Sequence, residues 1–228
     1  MKKVSLLRVV LASPGDVKAE REAVARAVEE LNHGVAAARA LRLELIRWET
    51  DAYPDFHPDG PQGLIDSVLR IDDCDLLIGI FWKRFGTPVR DAQSGTEHEI
   101  LAAYEAWKSR RRPHLMVYFN QKPYAPQSAD EMEQWRKVLE FRQRFPKEGL
   151  WWTYKGKADF ERLVRSHLTS IISSYGADDL EASAPRRRKP AGEADEPNVV
   201  VGGTRNITVI GEASNNTFIT GDQDGRKK

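Results

Sequence analysis

The chain has 228 residues, 40% of them hydrophobic and 30% charged, which suits one core domain of about 150–200 residues with an appendage. Its formal net charge is +1 and its pI about 7.8, a balance that argues against a dedicated nucleic-acid binder with its basic face or stripe. Cys74 is the only cysteine, which excludes a disulfide framework and a cysteine-ligated zinc site and points to a reducing, cytoplasmic compartment.

In chain order, VSLLRVVLA (4–12) reads as a first strand. A signal peptide is the alternative, but Arg8 interrupts the apolar run and a helix-start pattern follows it directly. No apolar stretch approaches the roughly 18 residues a membrane helix needs. The following helix carries Val17, Val24, Val28 and Leu31 on one stripe. LRLELIRW (41–48) alternates apolar and polar residues and predicts a second strand near a sheet edge. A Pro-, Asp- and Gly-rich turn region covers 50–61, and a short helix covers about 63–71. DLLIGIFW (75–82) is the most continuously apolar run, hence the expected central strand. Ile100, Ala103, Tyr104 and Trp107 stripe the next helix. HLMVYF (114–119) predicts a fourth strand, 129–144 a helix, LWWTY (150–154) a fifth strand and 158–174 a last helix.

Five strand–helix alternations imply parallel strands with right-handed crossovers, so residues 1–175 are expected to form a three-layer α/β domain. The flavodoxin-like order 2-1-3-4-5 fits five strands. It places the topological switch point, where such folds bind ligands, beyond the carboxyl ends of strands 1 and 3. Those ends carry the two most unusual loops in the chain, LASPGD and FWKRFGTPVRDAQSGTEHE.

Residues 176–197 mix Ala, Pro, Gly and both charge signs without periodicity, as a flexible linker does. The basic run 186–189 is flanked by acids and reads as a solvated spacer. The tail, 198–222, holds three approximate copies of Asn, a β-prone run and Gly: NVVVGG, NITVIGE and NTFITGD. One copy cannot bury its own apolar face, so stacking within or between chains is expected, and self-association is favoured over a small β-meander packed on the domain.

In SPGDVKAER, Ser13 suits an N-cap, Pro14 the first helical position and Asp16 the third. The same geometry, with Gly15, would offer free N–H groups to a phosphate, which makes Ser13, Pro14, Gly15 and Asp16 binding candidates as well as a plain helix start. A structural ion pair is the expected role of Arg21. In QSGTEHEIL (93–101), Ser94 as N-cap makes Glu97 the third residue of a capping box and gives it a structural occupation. Glu99 lies about 200° further round the helix and caps nothing. It is either a solvated carboxylate favoured by the helix dipole or an acid free for chemistry. His98 is expected at the surface. Phe81, Trp82 and Phe85 end the third strand. Core packing accounts for most of them, while Trp82 and Phe85 are carried as candidates to face a nicotinamide or adenine ring, Trp82 first. Asp91, Ser94 and Thr96 are polar pocket candidates.

Three segments, VVLASPGDVKAERE, DDCDLLIGIFWKRFGTP and SGTEHEILAAYE, resemble in order the motifs of a bacterial TIR-like family across residues 4–120. The resemblance implies a five-stranded parallel domain and cleavage of NAD, as substrate, at its nicotinamide–ribose bond, often in anti-phage defence. The family's catalytic glutamate begins the helix after the third strand and is followed by Ile or Leu. Glu99–Ile100 fits that position, with Glu97–His98 second, and Thr96 stands near where the family usually has a cysteine. By this resemblance Glu99 contacts the ribose hydroxyls and stabilises an oxocarbenium-like transition state, with no metal or second cofactor. ITVIGEASNNTF resembles amyloid-type signalling motifs, which implies recruitment through a partner sharing the motif, or self-assembly. A non-catalytic TIR-like adaptor and a nucleoside deoxyribosyltransferase-like enzyme are the alternative expectations, and neither a membrane nor a specific nucleic acid is an expected partner.

Overall fold

The computed structural model describes residues 4–175 and the backbone of 199–200 and 208–209. The chain divides into two units, Met1–Pro185 and Arg186–Lys228. In the first, five strands run β1 Ser5–Ala12, β2 Leu41–Ile46, β3 Leu76–Phe81, β4 His114–Asn120 and β5 Trp151–Tyr154. All neighbours are parallel and their order is β2-β1-β3-β4-β5, as the sequence pattern predicts. The connecting helices are α1 Lys18–His33, α2 Val35–Ala38, α3 Trp48–Asp51, α4 Gly60–Leu69, α5 Gly95–Arg110, α6 Ala129–Gln143 and α7 Lys157–Ser174.

Because side chains alternate along a strand, β3 feeds both faces of the sheet. Leu76, Ile78 and Ile80 meet Val24 and Val28 of α1 and Val164 and Leu168 of α7. Leu77 and Phe81 meet Ile100 and Ala103 of α5 and Val138 and Phe141 of α6. Every residue of β3 is buried, the mark of a central parallel strand covered on both sides. β2, at the edge, alternates buried and exposed instead.

At the amino end of the sheet, buried Asp75 stitches three strands. Its Oδ2 accepts from the Arg8 N–H (2.8 Å), its own N–H donates to the Arg8 carbonyl (2.9 Å) and its carbonyl accepts from the His114 N–H (2.9 Å). Near the other end, Gly79 lets α5 close onto the sheet: a Cβ there would lie 2.8 Å from Ile100 Cδ1.

Several element boundaries depart from expectation: the helix expected over about 63–71 is α4, Gly60–Leu69, and the short α2 and α3 were not expected. α1 begins at Lys18, with Val17 in the cap position and no side-chain cap. Ser13 and Asp16 do not cap it, because both are committed to contacts across the loop described below. β2 ends at Ile46 rather than Trp48, since the Asp51 carboxylate accepts from the Arg47 N–H (2.7 Å) and turns the chain into α3.

In the second unit, Val199–Val200 pairs antiparallel with Thr208–Val209. The linker expected over 176–197 and the rest of the 198–222 tail lie outside the described residues. Among the described residues no helix is long and apolar enough to cross a membrane.

The Gly79 contact yields a test. Gly79→Val forces Ile100 off its position and is expected to destabilise the domain by about 1–3 kcal/mol, read as a lower urea midpoint at unchanged slope.

Candidate functional site

The loops after β1 and β3 are bound to each other before any cavity forms. Asp16 Oδ2 accepts from the backbone N–H groups of Lys83 (2.9 Å) and Arg84 (3.2 Å). Arg21, one turn into α1, reaches back to donate to the Pro14 carbonyl (2.8 Å) and Ser13 Oγ (3.3 Å), and pairs with Glu49 of α3 at 3.0 Å. From the far side, the Gln134 side chain of α6 accepts from Phe85 N–H (2.9 Å) and Gly86 N–H (3.0 Å) and donates to the Gly86 carbonyl (3.3 Å). Gly86 sits at φ +113°, which an L side chain rarely adopts, with Ser94 Cβ only 3.0 Å from where its own Cβ would stand.

These loops enclose a cavity of about 370 Å³ at the switch point between β1 and β3. It is lined by Ser13, Pro14 and Gly15 from the loop after β1, by Arg84, Gly86, Thr87 and Val89 from the loop after β3, by Gly95, Thr96 and Glu99 of α5, and by Trp48, Gln62 and Ile65 of α3 and α4. The volume falls in the range of about 300–1,000 Å³ common for small-molecule sites.

The two glutamates of α5 take different parts. Ser94, fully buried, accepts from the Glu97 N–H (3.1 Å) as the N-cap. The Glu97 carboxylate reaches back to the Gln93 N–H (2.8 Å) and pairs with Arg144 at the end of α6. Glu97 is therefore spent on starting the helix and fastening it to α6, and it does not line the cavity. Glu99 does line it. It is 3% exposed, and among the described residues no hydrogen bond or ion pair engages its carboxyl group. Burial, and after it the negative charges of Asp66 and Glu49, push that carboxyl well above its ordinary value of 4.5.

Of the residues singled out from sequence, Ser13, Pro14, Gly15, Thr96 and Glu99 meet at the cavity. Asp16 stands behind it, holding the loops. Trp82 lies to one side: its indole N–H donates to the Lys122 carbonyl (3.4 Å), and the Lys83 ammonium sits 3.9 Å from its ring centroid. Phe85 is fully buried, with Phe81 and Phe141 rings each 5.6 Å away, so it packs the core and presents no face to a ligand. His98 is half-buried rather than at the surface, between Asp91 (3.0 Å) and Asp66 (3.4 Å). That pairing also takes Asp91 away from the cavity.

Sequence reasoning missed Trp48, Gln62, Ile65 and Arg84. The usable signal was topological: β2 neighbours β1, so the segment leaving β2 must pass over the crevice at the end of β1.

Burial of Glu99 has a measurable consequence. A carboxyl whose folded value is raised binds its proton more tightly in the native state. Its contribution is therefore complete below about pH 4.5 and lost as pH rises through the folded value. Glu99→Gln mimics the protonated form, so its Tm is expected to match the parent near pH 4.5 and exceed it by a margin that grows toward pH 8, as thermal unfolding at both pH values would record.

No curated protein matches the chain. Among solved structures it is similar to translation elongation factor SelB from Methanococcus maripaludis, with 11% identity, coverage of 77% of this chain and 38% of that one, and a TM-score of 0.41. It is also similar to CetZ from Methanosaeta thermophila strain DSM 6194, with 9% identity, coverage of 76% and 56%, and a TM-score of 0.40. The chain spans less than two thirds of the length of either. The family model described as "Domain of unknown function (DUF4062)" matches residues 9–169. That span holds every residue lining the cavity, and the chain belongs to this family.

Proposed function

We propose that the chain is a TIR-like effector that hydrolyses the N-glycosidic bond of NAD or a related nucleotide, with Glu99 as the catalytic carboxylate. The observation that carries this reading is a buried acid without a partner among the described residues, lining a ligand-sized cavity at the switch point. Burying a carboxyl without hydrogen bonds costs several kcal/mol once it ionises, roughly. Strongly displaced titratable groups in clefts are concentrated at functional sites. The motif order across residues 4–120 supports the same reading, including its place in bacterial immune or stress signalling. The repeats of 198–222 supply the means of assembly, and assembly is the activating event.

The chemistry balances with this chain's residues and water alone. The C1′–N bond breaks with both electrons going to the pyridinium nitrogen, which becomes neutral nicotinamide, and the ribose C1′ takes on oxocarbenium character. Ionised Glu99 beside the sugar offsets that positive charge. Water adds its hydroxide to C1′ and releases a proton. Burial raises the hold of Glu99 on its proton, and the cationic pyridinium counters this, because a positive charge within a few ångström favours the carboxylate. Trp48 borders the cavity and is 39% exposed. It replaces Trp82 as the ring available to stack the base.

One observation favours a second reading, a non-catalytic adaptor: a buried carboxyl, whose proton burial helps it retain, is suited to hydrogen-bonding a ligand without ionising. NAD loss with the purified full chain, soluble and assembled, separates the two. Turnover is expected in the assembled form, rising with pH as Glu99 ionises. Glu99→Gln should lower it by about 10²–10³-fold, whereas Glu97→Gln should lower stability more than turnover. Equal turnover in Glu99→Gln and parent removes Glu99 from its role. Binding of NAD without product in every state supports the adaptor, and action on free nucleosides alone supports a deoxyribosyltransferase-like enzyme.

A further inference from the structure

The cavity holds one exposed cation, Arg84. Among the described residues no hydrogen bond or ion pair engages its guanidinium. Its charge helps hold the Glu131 carboxyl below the ordinary value. The Arg84 backbone, by contrast, is fixed, since its N–H donates to Asp16 Oδ2. An exposed guanidinium without a partner among the described residues, lining a concave site from a fixed backbone, is suited to an anion.

A second feature shares the same cavity. Gly95 and Thr96 open the 16-residue helix α5, so their N–H groups have no acceptor within the helix and carry the positive end of its dipole. Thr96 is only 6% exposed and lines the cavity, yet among the described residues nothing hydrogen-bonds its hydroxyl. A residue this buried whose hydroxyl has no protein partner leaves that hydroxyl free for a ligand in the cavity. Gly15 also lines the cavity, with no heavy atom within 4 Å of where its Cβ would lie, which leaves room beside the backbone. Apart from Glu99, the cavity's only formally charged lining residue among the described residues is Arg84.

We propose that this cavity takes a phosphorylated ligand, a nucleotide rather than a nucleoside, whose phosphate is held between the Arg84 guanidinium and the Gly95–Thr96 start of α5, with the Thr96 hydroxyl as a further donor. The inference rests on the hydrolase reading only for which nucleotide is turned over; the phosphate subsite stands or falls by binding. Arg84 supplies forked donors matched to phosphate oxygens, and the helix start supplies N–H groups. The two carriers of the charge, a terminal monophosphate and the internal diphosphate of a dinucleotide, are distinguished by the ligands used.

The test titrates the full chain calorimetrically with adenosine, AMP and ADP-ribose, repeating each with Arg84→Ala and Arg84→Lys, both at an exposed position. ADP-ribose is expected to bind about ten- to a hundredfold more tightly than adenosine, the range for one charge-assisted contact. Arg84→Ala should abolish that advantage while adenosine affinity stays put, and Arg84→Lys should restore part of it. AMP matching ADP-ribose assigns the subsite to a monophosphate, and AMP matching adenosine assigns it to the diphosphate. Equal affinity for ADP-ribose and adenosine, no binding of either, or an Arg84→Ala protein that keeps the preference overturns the proposal. NAD turnover lost in Glu99→Gln with no Arg84 effect would retain the hydrolase and discard the subsite; Arg84-dependent binding without turnover would do the reverse.

Discussion

The Asp16 carboxylate is the tie on which the site depends. A parallel sheet that reverses its strand order leaves the loops after β1 and β3 diverging to opposite faces, and nothing in the β-ladders prevents the gap from widening. Asp16 Oδ2 closes it by accepting two consecutive N–H groups, those of Lys83 and Arg84. The second oxygen, Oδ1, is buried and unpartnered among the described residues, a cost of about 1–3 kcal/mol for a group of this kind. The fold accepts that cost and the lost cap on α1 together, because the same carboxylate cannot both cap a helix and hold the opposite loop.

With the loops fixed, α5 brings Glu99 to the cavity. Its approach to the sheet is limited by Gly79 against Ile100, and its first turn is secured by Ser94, Glu97 and Arg144. The residue immediately before Ile100 then has little freedom. A rotation of about 200° between positions two apart sends Glu97 toward α6 and Glu99 toward the cavity. One acid is consumed by structure so that its neighbour can remain unconsumed.

That neighbour is held at a disadvantage to the fold. Glu99 gains no hydrogen bond among the described residues, lies near two other acids and loses its hydration. Stability and readiness for ionisation are opposed at this position, which is the pattern expected where a group serves a ligand rather than the core. The half-buried His98, set between Asp91 and Asp66, adds a polar cluster just behind the acid, so the electrostatics around Glu99 extend beyond the cavity lining.

The sheet order was legible from the strand–helix alternation, and the central strand, the two-sided core and the capping duty of Glu97 were legible because each rests on local periodicity or on cap chemistry within four residues. Tertiary structure decided what depends on partners distant in the chain. Ser13 and Asp16 read as a helix cap, yet contacts with Arg21, Lys83 and Arg84 outcompeted that local use. Phe85 and Trp82 read alike as aromatic candidates, and only packing against Phe141 and Tyr124 separated core from surface. Trp48 and Gln62 carry no motif, and Arg84 was not singled out within the loop after β3, since their meeting at the cavity comes from the crossing of three chain segments. Periodicity fixes which face a residue occupies; which groups meet across a crevice is set by how the crossovers pack, and no local pattern encodes that.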